Sequence, residues 1–418
     1  MGSNVSAIFA SFGNAKVYMI SRDIEKSKEA VLKAAKSVRA ESIMGNLIPK
    51  DYSALSECVA ESDLVFESVA ENIDVKLDIT KKIAAAIRDD AIACSGTSGL
   101  SITQLSECFS DSMRGRYFGV HMFNPPYSMT LCELITTKYT SADVLAELTE
   151  YLKNTLIRTV VETKDSPAFL ANRIGFQFIN EAMKYAERYK DNGGIDYIDS
   201  ILGSFTGRAM APLSTADFVG LDVHKAIVDN VYFNSDDYAH DSFILPSFAQ
   251  KLIDDGKLGR KSGEGLYKFD NATKTLKVYD INTGKYRNKM KYVFPFAEGM
   301  KKHIKVGDYK NAFEVLVNNR SQEAEICLYF LLNYIVYSLV TIEKVAYDIH
   351  AADAAMATGF NWCPPLAMID AISSVADINA LIKERLPRNI LVNVDIDRSL
   401  SAAERSEYDY RLYFKSTN

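Results

Sequence analysis

The stretch TKDSPAFLANRIGFQFINEA (163–182) separates two kinds of pattern. Before it, short β-prone runs alternate with helical ones. Strand candidates are Val17–Ile20, Leu64–Val69, Ala91–Ser95, Tyr117–His121, Leu131–Thr136 and Thr159–Thr163. Helical stretches such as Glu25–Val38, Asn72–Ala85 and Ala142–Lys153 lie between several of them. That alternation predicts an α/β domain with a mostly parallel sheet. After it, strand signals almost vanish, and long amphipathic helices run from near Phe169 past Tyr189. Pro167 suits a boundary at which a helix begins.

The helical half repeats itself. IDYIDSILGSFTGRAMAPLSTAD (195–217) and IHAADAAMATGFNWCPPLAMID (349–370) share the order I-x-x-x-D, Gly, P-L-x-x-x-D. Asp199 precedes Pro212 by thirteen residues and Asp353 precedes Pro365 by twelve. Residues 271–320, polar and basic, read as a connector with little core, and the tail after Ile382 is weakly patterned. The expected division is 1–164, 165–270, the connector 271–320, and 321–418.

Hydrophobic residues are 48% and charged residues 24% of the 418, a globular composition. A net charge of −6 gives no reason to expect nucleic acid, and any anionic ligand must be held by local geometry. The six cysteines are scattered, with no C-x-x-C pair. That fits a reducing compartment, with cytoplasmic location expected, and argues against a disulfide framework or a metal site. The densest apolar run, CLYFLLNYIVYSLV (327–340), is about 14 residues and reads as a buried core helix, so no membrane partner is expected.

Three constellations could carry chemistry, and the opening segment bears on the fold. In GVHMFNPP (119–126), His121 ends a strand, and Glu133 follows on the next strand candidate, LCELITT (131–137). Side by side they would make a general base and the carboxylate that fixes its tautomer, or a structural histidine with a buried partner. In CSGTSGLSIT (94–103), Ser98 and its neighbours form a small-residue turn, facing a ligand at the sheet's carboxyl edge or capping a helix. Asn172-Arg173 interrupts an apolar helix face and must be hydrogen-bonded, to the protein or to a substrate. The opening MGSNVSAIFASFG places Val5, Ile8, Phe9 and Phe12 on one helical face, with Gly13 closing the helix before a strand.

FESVAENIDVK, SGTSGLSIT, GVHMFNPP…CEL, KDSPAFLANRI, APLSTADFVGLD and GKLGRKSGEGLYKF occur in one order. That series resembles the L-3-hydroxyacyl-CoA dehydrogenase family of fatty-acid β-oxidation over roughly residues 1–270. The repeat beyond it is similar to the second helical unit of the longer, multifunctional bacterial members. The resemblance implies a Rossmann-like α/β domain followed by two related all-α units, NAD as cofactor, an acyl-CoA substrate and a homodimer formed through the helical domains. It makes His121 the catalytic base, Glu133 its partner, Ser98 a hydroxyl near the substrate oxygen and nicotinamide, and Asn172 the group that polarises the developing carbonyl. It places Glu71 and Lys76 near the cofactor. Asp217, Gly220, Lys261 and Gly263–Gly265 match fold-holding motifs, without chemistry of their own. A dehydrogenase of a small 3-hydroxy acid, gulonate type, and a remnant unable to bind cofactor are the alternatives.

Three departures bear on the cofactor. The family's Asn-Thr-Ser turn is Gly96-Thr97-Ser98 here, one amide fewer. An acidic residue that binds the adenosine ribose is replaced by Ser21, followed by Arg22, which leaves NADP open; Asp23 would restore NAD binding if the register shifted. The family opens with a strand and G-x-G-x-M-G-x-x-I-A, and Met1-Gly2 aligns with its M-G, making Gly2 the last fingerprint glycine. The first, central strand is therefore expected to be missing from the sheet, its two neighbours left unpaired.

Overall fold

The computed structural model describes residues 1–416. The chain forms two compact units, Met1–Phe169 and Leu170 onward. The hand-over falls five residues later than the expected 164/165 boundary because Asp165 belongs to the first unit. Its carboxylate accepts from the backbone N–H of Ile102 (3.0 Å) and Thr103 (2.8 Å) and from the Ser101 hydroxyl (2.8 Å), filling the free donors of a helix start.

The first unit contains α1 (Gly2–Ser11), β1 (Val17–Ser21), α2 (Ile24–Val38), β2 (Leu47–Asp51), α3 (Leu55–Glu61), β3 (Leu64–Glu67) and α4 (Ile73–Ala84). It continues through β4 (Ile92–Ser95), α5 (Ile102–Ser106), α6 (Asp111–Arg114), β5 (Tyr117–Met122), β6 (Leu131–Thr136), α7 (Ala142–Glu150) and β7 (Thr159–Lys164). Strands β3-β4-β5-β6-β7 form one sheet in that order, while β1 and β2 form a separate parallel pair. β3, β4 and β5 are parallel, β6 runs against β5, and β7 follows β6. The first unit's strands are thus in two pieces, β1-β2 and β3–β7. β2, LIPKD, escaped the sequence reading because a proline and two charges hide its pairing with β1.

Alternation along the strands fills two faces. Cys94, Phe118, Val120 and Leu134 pack with Val5, Ile8 and Phe9 of α1. Ala93, Tyr117 and Ile135 pack with Val59, Ile79 and Ile83 of α3 and α4 on the other face. α1 also buries Ala7 and Ala10 against α2. Phe12, expected on the buried face, is instead exposed, because the helix ends at Ser11 and turns away. Gly13 does not close the helix through a left-handed turn; Asn14 takes that conformation (φ 45°). Glycine is required at 13 for space, since a Cβ would stand 2.6 Å from the Tyr151 hydroxyl and 2.7 Å from the Phe9 carbonyl.

The second unit begins with α8 (Ala171–Arg188), α9 (Ile195–Ile201), α10 (Pro212–Val219), α11 (Leu221–Asn234) and α12 (Ser247–Asp254). The expected connector is ordered: β8 (Tyr267–Asp270), β9 (Thr275–Asp280) and β10 (Lys285–Asn288) make an antiparallel meander, followed by α13 (Pro295–Lys305) and α14 (Tyr309–Asn318). It has a core of its own, with Val278, Tyr279, Phe296 and Phe313 buried. The few apolar residues are spaced to face inward, which average composition concealed. Then come α15 (Gln322–Val345), α16 (Ala351–Gly359) and α17 (Pro365–Ser373). α15 is 24 residues long, apolar enough to cross a membrane by length and composition, with 83% of its apolar window buried in the protein.

The repeat is structural. Asp199 accepts from the N–H groups of Leu213 (2.8 Å) and Ser214 (2.9 Å), and Asp353 from that of Leu366 (2.8 Å), so each aspartate caps the helix its Pro opens. The two copies join at matching turns through an antiparallel bridge between Arg208 and Trp362, where Cys363 N–H donates to the Gly207 carbonyl at 2.7 Å. Arg208 is fully enclosed there, its guanidinium 3.8 Å from the centre of the Phe178 ring and 4.8 Å from that of Trp362. Burial pushes its pKa down to about 10, and the aromatic faces supply the attraction that no carboxylate among the described residues does.

Candidate active site

Parallel strands in register bring their carboxyl ends to one edge. Glu67 pairs with Ser95 and Ser95 with Gly119, so the segments after β3 and β4 and the end of β5 converge there, where open α/β sheets bind ligands. His121 lies at that end of β5. β6 runs antiparallel, and its Glu133 is the direct cross-strand partner of His121. His121 Nδ1 is 2.7 Å from Glu133 Oε2, and both side chains are buried. With the carboxylate ionised, Nδ1 carries the donated hydrogen and Nε2 is left as the basic nitrogen. Phe123 and Phe169 lie against the imidazole, at centroid distances of 4.5 and 5.7 Å, and fix its plane. Arg158, itself buried, donates to the carbonyl of Pro126 and to that of Leu156, tethering the loop after His121.

The Gly96–Ser98 turn is tied to the segment after β3. Glu71 Oε1 accepts from the Thr97 hydroxyl (2.5 Å) and the Ser98 N–H (2.7 Å), leaving the half-buried Ser98 hydroxyl outside that bond. Lys76 does not reach the surface of this edge. Its ammonium is buried against both Glu67 oxygens (3.0 and 3.1 Å) and lies 3.5 Å from Glu71, so Glu71, not Lys76, is the group exposed at this edge. The sequence reading missed Glu67, which also accepts from the Ser95 hydroxyl (2.7 Å) and the Val69 N–H (2.6 Å). Its signal was a carboxylate ending the apolar strand LVFE, with a lysine nine residues on. Gly96 has a spatial cause: a Cβ there would lie 2.7 Å from the Phe66 ring, so an asparagine cannot be accommodated while Phe66 stands beside it.

Gly2 opens α1 next to Ser68, whose hydroxyl would be 3.5 Å from a Cβ at that position. Ser21 ends β1, its hydroxyl donating to the Asp23 carbonyl (2.7 Å) and accepting from Ser27 (2.9 Å). Asp23 is not in register to replace it, because its carboxylate caps α2 through the Glu25 N–H at 2.8 Å. Arg22 is exposed. In the second unit, the Asn172-Arg173 pair splits in role. Arg173 is held by Asp237 (2.8 Å), which also accepts from the Tyr337 hydroxyl (2.7 Å). The amide of Asn172, buried at the start of α8, has no side-chain hydrogen bond within its own unit among the described residues. Asp217 accepts from the Tyr267 N–H (3.2 Å) and Lys261 pairs with Asp222, fold-holding contacts in both cases.

Residues 1–166 match the sequence profile of the 3-hydroxyacyl-CoA dehydrogenase NAD-binding domain, and residues 169–269 match that of the 3-hydroxyacyl-CoA dehydrogenase C-terminal domain. The chain belongs to the 3-hydroxyacyl-CoA dehydrogenase family. Within that family of NAD-dependent oxidoreductases, the pig mitochondrial hydroxyacyl-coenzyme A dehydrogenase is 30% identical over 283 residues, covering 64% of this chain and 88% of the pig protein. A probable 3-hydroxyacyl-CoA dehydrogenase of Bacillus subtilis is 32% identical over 349 residues, which is 83% of this chain and 43% of that one. The chain spans about half the length of that relative and of a Rickettsia felis protein described as a putative fatty acid oxidation complex trifunctional enzyme. The crystal structure of 3-hydroxybutyryl-CoA dehydrogenase from Escherichia coli superposes with a TM-score of 0.69 over 96% of both chains at 19% identity. That match extends the shared fold of the 3-hydroxyacyl-CoA dehydrogenase family through both helical repeats.

Proposed function

We propose that this chain carries out NAD-dependent oxidation of (3S)-3-hydroxyacyl-CoA to 3-oxoacyl-CoA, as a step of fatty-acid β-oxidation. The buried His121–Glu133 pair at the carboxyl edge, 2.7 Å apart, carries the reading. Alcohol oxidation removes a proton from oxygen and a hydride from carbon. His121 Nε2 takes the hydroxyl proton, and Glu133 stabilises the imidazolium that results. The Ser98 hydroxyl binds the same oxygen, and the free Asn172 amide polarises the carbonyl as it develops. NAD, when bound, supplies the hydride acceptor. The side-chain-free Gly2 at the start of α1, with Ser68 beside it, suits a pyrophosphate, and Glu71 lines the nicotinamide side. Ser21 and the exposed Arg22 suit an adenosine ribose and also accept a 2′-phosphate, so NADPH is to be measured beside NADH.

The test is turnover of acetoacetyl-CoA with each reduced cofactor, together with calorimetric titration of the cofactor alone. Saturable NADH binding is expected, with turnover falling 10²- to 10⁴-fold in His121→Ala while binding persists. A folded chain that binds neither cofactor overturns the dehydrogenase reading. Unchanged turnover in His121→Ala removes the base assignment.

A further inference from the structure

Helix α8 carries Asn172 in its first turn, and the second helical repeat holds that turn from two sides. Asp237, in the segment after α11, accepts from Arg173 Nη2 (2.8 Å) and Nε (3.2 Å) and from the Tyr337 hydroxyl of α15 (2.7 Å). All three side chains are buried. The other Asp237 oxygen takes the Ala239 N–H at 2.8 Å, so the carboxylate cannot turn without losing a hydrogen bond. The Tyr337 ring is seated against Tyr238 and Phe243, at centroid distances of 5.9 and 6.2 Å. Two residues along α8 from Arg173, a Cβ on Gly175 would overlap the ring of Phe360, the residue that ends α16. Residues two apart stand about 200° around a helix axis. Tyr337 and Phe360 therefore grip α8 across its width, one through Asp237 and Arg173 and the other directly.

Asp237 alone would neutralise Arg173, and the Tyr337 hydroxyl adds no charge. It adds a direction: a hydroxyl on a packed ring allows Asp237 one position, and Arg173 follows. We infer that Tyr337 and Phe360 are positioning residues for Asn172, which together set the rotation of α8 about its own axis. The inference rests on the dehydrogenase reading, in which the Asn172 amide polarises the developing carbonyl. A helical side chain ends roughly 5–6 Å from the axis, so a roll of about 20° carries it about 2 Å. Misplacing a reacting group by about 1 Å already costs on the order of 10²-fold in rate. The Asn172 amide makes no side-chain hydrogen bond within its unit among the described residues, so its direction there comes from the helix.

The test is a double-mutant cycle on acetoacetyl-CoA turnover with NADH, built from Tyr337→Phe and Asn172→Ala, beside amide exchange read by mass spectrometry. Tyr337→Phe is expected to lower kcat about tenfold or more while both KM values stay within about twofold. In the Asn172→Ala chain the same change should lower kcat by less than about twofold, because no amide is left to misplace. Phe360→Leu reaches the helix from the other side and should reproduce this pattern with Tyr337 intact. Exchange at the amides of residues 174–178 should quicken about threefold or more in Tyr337→Phe, a readout that needs no turnover. Equal losses of kcat with and without Asn172, a lowered Tm with kcat unchanged, or unaltered exchange would each overturn the inference and leave the dehydrogenase reading standing. Full turnover in Asn172→Ala would instead remove that amide from the reaction, and the inference with it, whatever the exchange shows.

Discussion

A lysine ammonium taken out of water must find carboxylates, and Lys76 finds two. Its pairing with Glu67 is buried on both sides, so removal of one partner strands the other charge in the interior. Lys76→Met is expected to lower unfolding stability by about 3–5 kcal/mol in urea titration, and Glu67→Gln in the same chain to recover most of it. At this scale the sequence was most readable where one residue type implied its partner. His121 and Glu133 sit opposite each other because strand spacing puts them there. Gly96 was legible as a departure but not as a consequence of Phe66, since a contact between residues thirty apart leaves no local trace. Asp165 was hidden for the same reason: its three hydrogen bonds all run to residues 101–103.

Elements were legible in proportion to their periodicity. Every predicted strand of the first unit is present, whereas β2 and the β8–β10 meander, with at most two buried residues in any strand, carried too little pattern to register. The repeated aspartates were visible as spacing, and the structure supplies the reason for it, a helix cap in each copy. Capping comes with a desolvation cost. Burial raises the pKa of Asp353 to about 6 despite its hydrogen bonds to Leu366 N–H and the Ser406 hydroxyl. In the unfolded chain it titrates near 3.9. The folded state therefore holds an extra proton between those values, and stability falls as pH rises from about 4 to 6, then levels. Asp353→Asn keeps a capping oxygen and carries no charge. It is expected to flatten that fall by on the order of 2–3 kcal/mol, measured as denaturation midpoints across the range.

For the whole molecule, the two compact units are expected to give separate unfolding transitions. Residues 170–416, with α15 enclosed at their centre, are expected to fold alone and melt in one cooperative transition by circular dichroism. Residues 170–270 alone are not. Phe178 there rests on Phe330 and Trp362, at centroid distances of 5.0 and 5.3 Å, and Arg208 would lose the Trp362 face it lies over. That dependence was unreadable from the repeat itself, which shows that two copies exist but not that each completes the other.

The joined turns at Arg208 and Trp362 also set a concentration scale. Two related halves in separate chains would meet only above their dissociation constant, whereas one polypeptide fixes their encounter at an effective concentration dilution cannot change. The melting midpoint of the 170–416 fragment should therefore hold steady over a hundredfold dilution. A midpoint that drops on dilution would place part of its stability in a second chain.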